Sequence, residues 1–592
     1  MSLKQSGQCV LMVLTGYNSS YSFDSGMFGN TLGPEESFRF ARGEEVTAPN
    51  GMKAQLVRPL DFLLISDHAE YLGFTKLMRD SDERLMATEG GREMVEGFQA
   101  GGEQAWLLVV SMQKDFDMGK PRLDDPKLTK SIWESVVDIA SKYNNPGVFT
   151  AFNGYEWTLA PGGNNLHRNV IFRDGPDRVK QIVPSGAFES PTPERLWEFL
   201  ADYEKKTGGQ VLAIPHNPNI SNGVMFADIM SNGKPLTEDY VRMRAKWEPL
   251  MEVTQAKGDS EAHPLLSPED EFADFETWDF GNSGAPSVPK KDDMLQYEYA
   301  RSALNWGLKH EQNLGTNPFK FGMVGGTDTH VSLSTTREEN YFGKLPNLLP
   351  GPERTGEAIV MNADKTPAVL SWETSASGLT GVWAQENTRG SIFDALARKE
   401  VYATTGTRLT VRVFAGWTFK PKDAASPEFA RVGYAQGVPM GADIPRTATS
   451  DASPTLIVQA MRDPDGANLD RVQIIKGWLD SEGQMNERIY DVAVSDDRKI
   501  KRNGRVGKKV GSTISIEDAS YTNEIGDASL SAYWRDPDFD PKDSAFYYVR
   551  VIEIPTPRWT AYDAKRFGAK MPDGVSMTIQ DRAYTSPIWY TP

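Results

Sequence analysis

LDFLLISDHAEYLG, Leu60–Gly73, is the stretch on which the reading of this chain turns. An apolar run opens at Phe62, stops at Ser66 and gives way at once to Asp67 and His68, with Glu70 close behind. A short apolar run bounded by polar residues reads as a buried strand. A strand that ends by presenting an acid and an imidazole either caps a turn or holds something.

Other segments repeat the plan. VLAIP leads into His216, and GMVGGTDT leads into His330. FTAFNGYEW ends in Glu156-Trp157, with His167 ten residues further on, and LMEV carries Glu252 at a similar place. Helical patterns separate these strands. In TPERLWEFLADYEKKTGG, Thr192 caps, Pro193 suits the first turn, and Leu196, Trp197, Phe199, Leu200 and Tyr203 share a side before Gly208-Gly209 ends it. KSIWESVVDIASKYNNPG and DMLQYEYARSALNWGLKHEQNLG behave alike. Strands alternating with helices predict parallel pairing and an α/β architecture.

In a parallel α/β barrel the C-terminal strand ends meet on one face. Of the six histidines, at 68, 167, 216, 263, 310 and 330, four would converge there with at least three carboxylates. Singly, each is explained by a turn holding a satisfied imidazole; together they predict a metal site. Imidazole with carboxylate suits zinc, manganese or iron better than magnesium or calcium. His263, in a polar loop, and His310, in a helix beside Lys309 and Glu311, are read as ordinary structural residues.

A chain of 592 residues is too long for one core, so two or more domains are expected. The texture changes after Thr407. LTVRVFAGW, PTLIVQAMRD, RVQIIKGWLD, RIYDVAVSD and AFYYVRVIEI are short strands between Gly, Pro and Asp turns, the pattern of an all-β sandwich. Residues 1–407 and 408–592 are therefore the expected domains, and the linkerless ARKEVYATTGTR predicts that the second docks on the first and walls its cleft. DPDGANLD, Asp463–Asp470, lacks the spacing and terminal Glu of a calcium loop and reads as a turn.

A net charge of −17 with no basic patch argues against a nucleic-acid partner. The single cysteine, Cys9, excludes a disulfide framework and a CxxC zinc site. CVLMVL, Cys9–Leu14, is too short for a signal core and reads as a buried first strand. No run approaches the ~18 apolar residues of a membrane span. The chain reads as soluble, cytoplasmic as it stands and periplasmic if an export leader has been removed. No GxSxG elbow, Walker loop or Rossmann fingerprint follows a strand.

In this order, Asp-His after a strand, a GYE glutamate, a later His, a PHN His, an EV glutamate and a final Asp-x-His resemble the PHP (polymerase and histidinol phosphatase) superfamily. The chain is more similar still to a bacterial branch of it, the DUF3604 family, through SYSFDSGMFGN, RPLDFLLISDHAEYLG, GNNLHRNVIFRD, TQAKGDSEAH, ARKEVYATTGTR and SPIWYTP. The resemblance implies a distorted (β/α)7 barrel with up to three metals in its cleft, joined to the C-terminal all-β sandwich-like domain read above; with the donor chemistry, two divalent metals (zinc, manganese or iron) are expected. It implies that Glu156, His167 and His216 hold one metal and Asp24, His68 and His330 another. Glu156 would bridge to a third metal shared with Asp328 and the opening motif, and Asp67 would orient an imidazole. The superfamily's opening His-x-His is absent: Gly16 and Asn18 stand there, and Asn18 offers only an amide oxygen.

The activity implied is hydrolysis of a small anionic ester, a phosphate ester above all, by a metal-activated water. Arg168, Arg408 and Lys257 are candidates to steady the developing charge. The alternative is a catalytically weakened protein that binds metal and ligand, with the β domain serving recognition. Oligomeric state is not legible.

Overall fold

The computed structural model describes residues 9–117, 119–446 and 452–592, and they form a mixed α/β protein. Seven strands frame the first part: β1 (Cys9–Tyr17), β2 (Phe62–Leu64), β3 (Thr150–Trp157), β4 (Arg168–Phe172), β5 (Val211–Pro215), β6 (Leu250–Gln255) and β7 (Gly322–Thr329). Helices α1 (Pro126–Tyr143), α2 (Pro193–Thr207), α3 (Glu238–Trp247) and α4 (Ala300–Leu314) are the longest of those packed around β3–β7. The strands pair in the order β5–β4–β3–β2–β1–β7–β6. No ladder among the described residues joins β6 to β5, so this sheet is open.

Local sequence explains the elements. Thr192 accepts from the Arg195 amide, Pro193 begins α2, and Gly208 ends it in the left-handed region at φ 65°. Leu196, Trp197, Leu200 and Tyr203 are its buried face. α1 starts a turn earlier than KSIWESVV suggests, because the Asp125 carboxylate caps the amides of Lys127 and Leu128 at 3.0 Å. Every residue of β2, β3, β4 and β5 is buried, as expected for strands covered on both faces.

The expectation of parallel pairing holds for β1–β2, β2–β3, β1–β7 and β6–β7. It fails at β4, which runs antiparallel to both β3 and β5. The connection from Trp157 to Arg168 carries no crossover helix, only a short 3-10 turn at Pro161–Gly163, and an antiparallel neighbour is what so short a return can reach. The inversion matters for the site. β4 begins where β3 and β5 end, with Trp157 opposite Arg168 and Arg168 opposite Pro215.

Beyond β7 come β8 (Leu379–Ala384), β9 (Val401–Thr404), β10 (Thr410–Gly416), β11 (Thr455–Met461), β12 (Leu469–Leu479), β13 (Met485–Val494), β14 (Ser529–Arg535), β15 (Ser544–Glu553), β16 (Arg582–Thr585) and β17 (Ile588–Tyr590). β8 pairs with β1, and the ladder continues β8–β9–β16–β15–β12–β13. Among the described residues, one sheet of 15 strands thus crosses position 407. A second sheet, with β10, β11 and β14, shares a core with it: Val411, Val413, Leu456 and Val458 meet Ile474, Tyr547 and Val549. Asp463 opens a turn closed by the Gly466 amide at 2.9 Å, and its carboxylate faces Arg58 and the Arg408 amide.

A buried ionic knot ties the two parts together. Arg301 of α4 contacts Glu261 at 2.5 Å and Asp270 at 2.8 Å; Arg550 of β15 contacts the same acids at 3.0 and 2.7 Å. Two guanidiniums on two carboxylates leave no charge unmatched, the condition for burying ions at all.

Candidate metal centre

Backbone pairing brings the ligands together before any side chain is considered. Past the end of β2, His68 bridges to Glu156 in parallel fashion, with the Ala69 amide 2.8 Å from the Glu156 carbonyl. The His216 amide donates to the His167 carbonyl at 3.3 Å. His330 follows β7, whose Thr329 pairs with Tyr17 of β1. Asp24 lies in the short helix Phe23–Met27, where Ser22 Oγ and the Ser25 amide fix one carboxylate oxygen at 2.9 and 2.6 Å. The other oxygen is aimed inward.

Two groups of three ligand atoms result, each with its atoms within 4.8 Å of one another: Asp24, His68 and His330, and Glu156, His167 and His216. In the first, Asp24 Oδ2 lies 2.7 Å from His330 Nε2 and 3.3 Å from His68 Nε2. In the second, Glu156 Oε1 lies 2.7 Å from His167 Nδ1 and 3.2 Å from His216 Nε2. His68 joins them, its Nδ1 3.7 Å from Glu156 Oε1 and against Thr158 Oγ1. The four imidazoles form a row, His330–His68–His167–His216, with successive ring centroids 6.2, 5.8 and 5.6 Å apart.

The electrostatics are those of a cation site. Burial alone would raise the Asp24 and Glu156 carboxyls. Instead His330 and His68 hold Asp24, and His68 and His216 hold Glu156, well below the usual carboxylate range. Burial opposes a charge on His68, yet Glu156 and Asp24 push its pKa up to about 10, whereas burial takes His167 down to about 4. Several polar atoms are left over. Glu156 Oε2 and both ring nitrogens of His216 are buried without a well-aligned hydrogen bond. Each such atom costs roughly 1–3 kcal/mol, and a divalent ion taking His216 Nε2 with Glu156 would remove much of that cost. The donor set fits zinc, manganese or iron.

The other expected residues fall differently. Among the described residues no hydrogen bond joins Asp67 to an imidazole: its oxygens take the Ser19 amide at 2.6 Å and Ser19 Oγ at 2.7 Å, fixing the chain after β1, and burial pushes its carboxyl up to about 7. Arg168 alternates away from His167 and lies buried on the far side of β4, with Nε 3.0 Å from Glu248. Arg408 donates to the carbonyls of Arg58 and Pro59 at 2.9 Å. Among the described residues no side-chain hydrogen bond or ion pair joins either arginine to the two groups of ligands. Asn18 and Asp328 do lie beside them, but face each other, Asn18 Nδ2 to Asp328 Oδ1 at 3.3 Å. His263 pairs with Asp279 at 3.2 Å, and His310 packs between Trp306 and Phe319.

Lys344 was not foreseen. It stands in an irregular loop with no periodic signal, yet its carbonyl accepts the His330 amide at 2.8 Å and its Nζ lies 2.6 Å from His330 Nδ1. Lys257, whose carbonyl is held by Asn219 Nδ2 at 3.0 Å, forms an ion pair with Asp328. Asn217 Nδ2 donates to the same carboxylate at 3.1 Å. Asp328 and Asn217 have φ of 46° and 53°, the left-handed region that Asp and Asn enter more readily than other non-glycine residues.

The family model of the DUF3604 proteins ("Protein of unknown function (DUF3604)") matches residues 15–592. The chain belongs to the DUF3604 family. This DUF3604 chain is also similar to a solved structure from Bacteroides vulgatus ATCC 8482, a two-domain protein containing a predicted PHP-like metal-dependent phosphoesterase. The identity is 11%, the TM-score 0.32, and 98% of this chain and 96% of that one are covered. No curated protein matches the DUF3604 chain. No described helix is long and apolar enough to cross a membrane.

Proposed function

We propose that this DUF3604 protein is a metal-dependent hydrolase of a small anionic ester, a phosphate ester above all. The observation that carries it is the pair of three-ligand groups sharing His68 as their common wall, 3.3 Å from Asp24 on one side and 3.7 Å from Glu156 on the other. Asp24, His68 and His330 would hold one divalent ion, and Glu156, His167 and His216 a second. Bound ions supply Lewis acidity and lower the pKa of coordinated water towards 7.

The chain's own residues set the conditions for that chemistry. Burial of His68, Glu156 and His216 keeps bulk water from the inner wall. Asp24, Lys257 and His167 keep 22%, 15% and 12% of their side chains accessible, which puts the mouth of the site on their side. An anionic ester entering there meets ions and a lysine, so the net charge of −17 does not repel it locally. The motifs shared with PHP proteins support the same reading, with residues 1–407 as a distorted (β/α)7 barrel and 408–592 as a sandwich-like wall.

Hydrolysis of an aryl phosphate, measured with manganese, zinc and iron in turn, tests the proposal. Turnover that requires one of these metals supports it. Flat rates with all three reject it in favour of a metal- and ligand-binding protein without turnover, the reading to which Asn18 at the opening motif lends weight.

A further inference from the structure

Asp328 is surrounded by donors on every side. Lys257 forms an ion pair with Oδ2, to which Asn217 Nδ2 also donates at 3.1 Å. Asn18 Nδ2 donates to Oδ1 at 3.3 Å, with Lys344 Nζ 3.5 Å from that atom and in contact with the Asp328 carbonyl. A carboxylate offers about four lone-pair sites, and four donors already face them. The unpartnered acceptors near this corner are the amide oxygens Asn18 Oδ1 and Asn217 Oδ1, with Glu156 Oε2 the one charged oxygen among them. Two neutral amide oxygens beside a carboxylate already committed to three imidazoles are a weak set for a further divalent ion, and two ammonium groups nearby repel it. The residues therefore do not fit the third metal that the superfamily pattern implies.

The same geometry suggests what stands in its place. The Lys257 side chain is 15% accessible and that of Lys344 only 4%, so Lys257 is the ammonium turned to the mouth. We propose that Lys257, clamped on Asp328 beside both ligand groups, supplies the positive charge of the missing third ion. The site then holds two metals, and Lys257 meets the anionic group of the substrate. This rests on the metal-dependent reading above. Asp328 is the positioning residue: its pairing fixes a flexible four-carbon side chain whose charge would otherwise wander.

Two measurements on the full chain test it. Elemental analysis after loading with excess manganese and removal of free metal should return two equivalents per chain. Three equivalents would overturn the inference and leave the metal-dependent reading standing, whereas none would overturn both. Titration calorimetry of the loaded protein with inorganic phosphate should give a Kd at least ten-fold weaker for Lys257→Gln, with metal content not reduced, and partial recovery for Lys257→Arg. Phosphate binding by Lys257→Gln equal to that of the unaltered protein would overturn the inference. The stoichiometry of the unaltered chain decides the first point even should the variant fail to fold.

Discussion

Nδ1 of His167 lies 2.7 Å from Oε1 of Glu156, a contact that exists because β4 runs backwards between β3 and β5. The inversion sets the first residue before β4 against the last turn of both neighbours. One carboxylate oxygen thereby faces three imidazoles, those of His68, His167 and His216.

Glu156→Gln should therefore be the most damaging isosteric change in the site. It removes the charge that those imidazoles share while keeping volume. Metal affinity and metal-dependent turnover should each fall at least about 100-fold, since even the groups behind ligands are worth 10–100-fold. Circular dichroism should stay native. Retained metal content and turnover in Glu156→Gln would remove Glu156 from the ligand set.

Chelation should lower thermal stability. A ligand bound only by the folded state adds about 2.7 kcal/mol at a concentration 100-fold above its Kd, and Glu156 Oε2 and the His216 nitrogens have most to gain. Melting after treatment with a chelator should come several degrees lower and recover on adding manganese or zinc. An identical melting curve with and without metal would count against both sites.

Arg168→Met should cost stability without changing the chemistry. Arg168 is buried against Glu248, which also keeps Arg244 Nε at 3.2 Å and takes Trp197 Nε1 at 2.9 Å, so its loss leaves a buried carboxylate half-compensated. A penalty of about 3 kcal/mol, the low end for breaking a buried pair, is expected because Arg244 still faces Glu248. Chemical denaturation should report it, while kcat of the folded fraction stays within a few-fold. A large fall in kcat at unchanged stability would return Arg168 to the list of catalytic candidates.

Asp270→Asn probes the knot between the two parts of the chain. Arg550 and Arg301 hold Asp270 and Glu261 below the ordinary carboxylate range although burial acts the other way. A carboxyl depressed in the folded state contributes stability that is complete above its unfolded value, about 4, and declines as pH falls towards its folded value. The variant should lose about 3–5 kcal/mol at pH 7, and the gap to the unaltered protein should narrow below pH ~4. A gap independent of pH would mean that packing, not charge, is what Asn disturbs.

How far the sequence went can be seen at single residues. His68, His216 and His330 were legible because each follows an apolar run long enough to read as a strand, and strand ends gather on one face. Asp24 and the grouping into two triads came from family likeness alone. The reversal of β4 was not legible, since RNVIF has the same composition in either direction and only the short return from Trp157 hints at it. Arg168 shows a related limit: alternation along a strand sends neighbours to opposite faces, and next to His167 it turns to Glu248 instead. Lys344 gave no signal, being placed by a backbone bond to His330 rather than by a motif. The split after Thr407 coincides with a change of texture, but pairing between β9 and β16 joins the two parts through residues some 180 positions apart, a relation no local pattern carries.

Whether both triads hold cations is decided by anomalous X-ray scattering from crystals grown with manganese. Two anomalous peaks are expected, one at Asp24, His68 and His330 and one at Glu156, His167 and His216. No peak at either triad, or peaks only elsewhere in the molecule, would contradict that expectation.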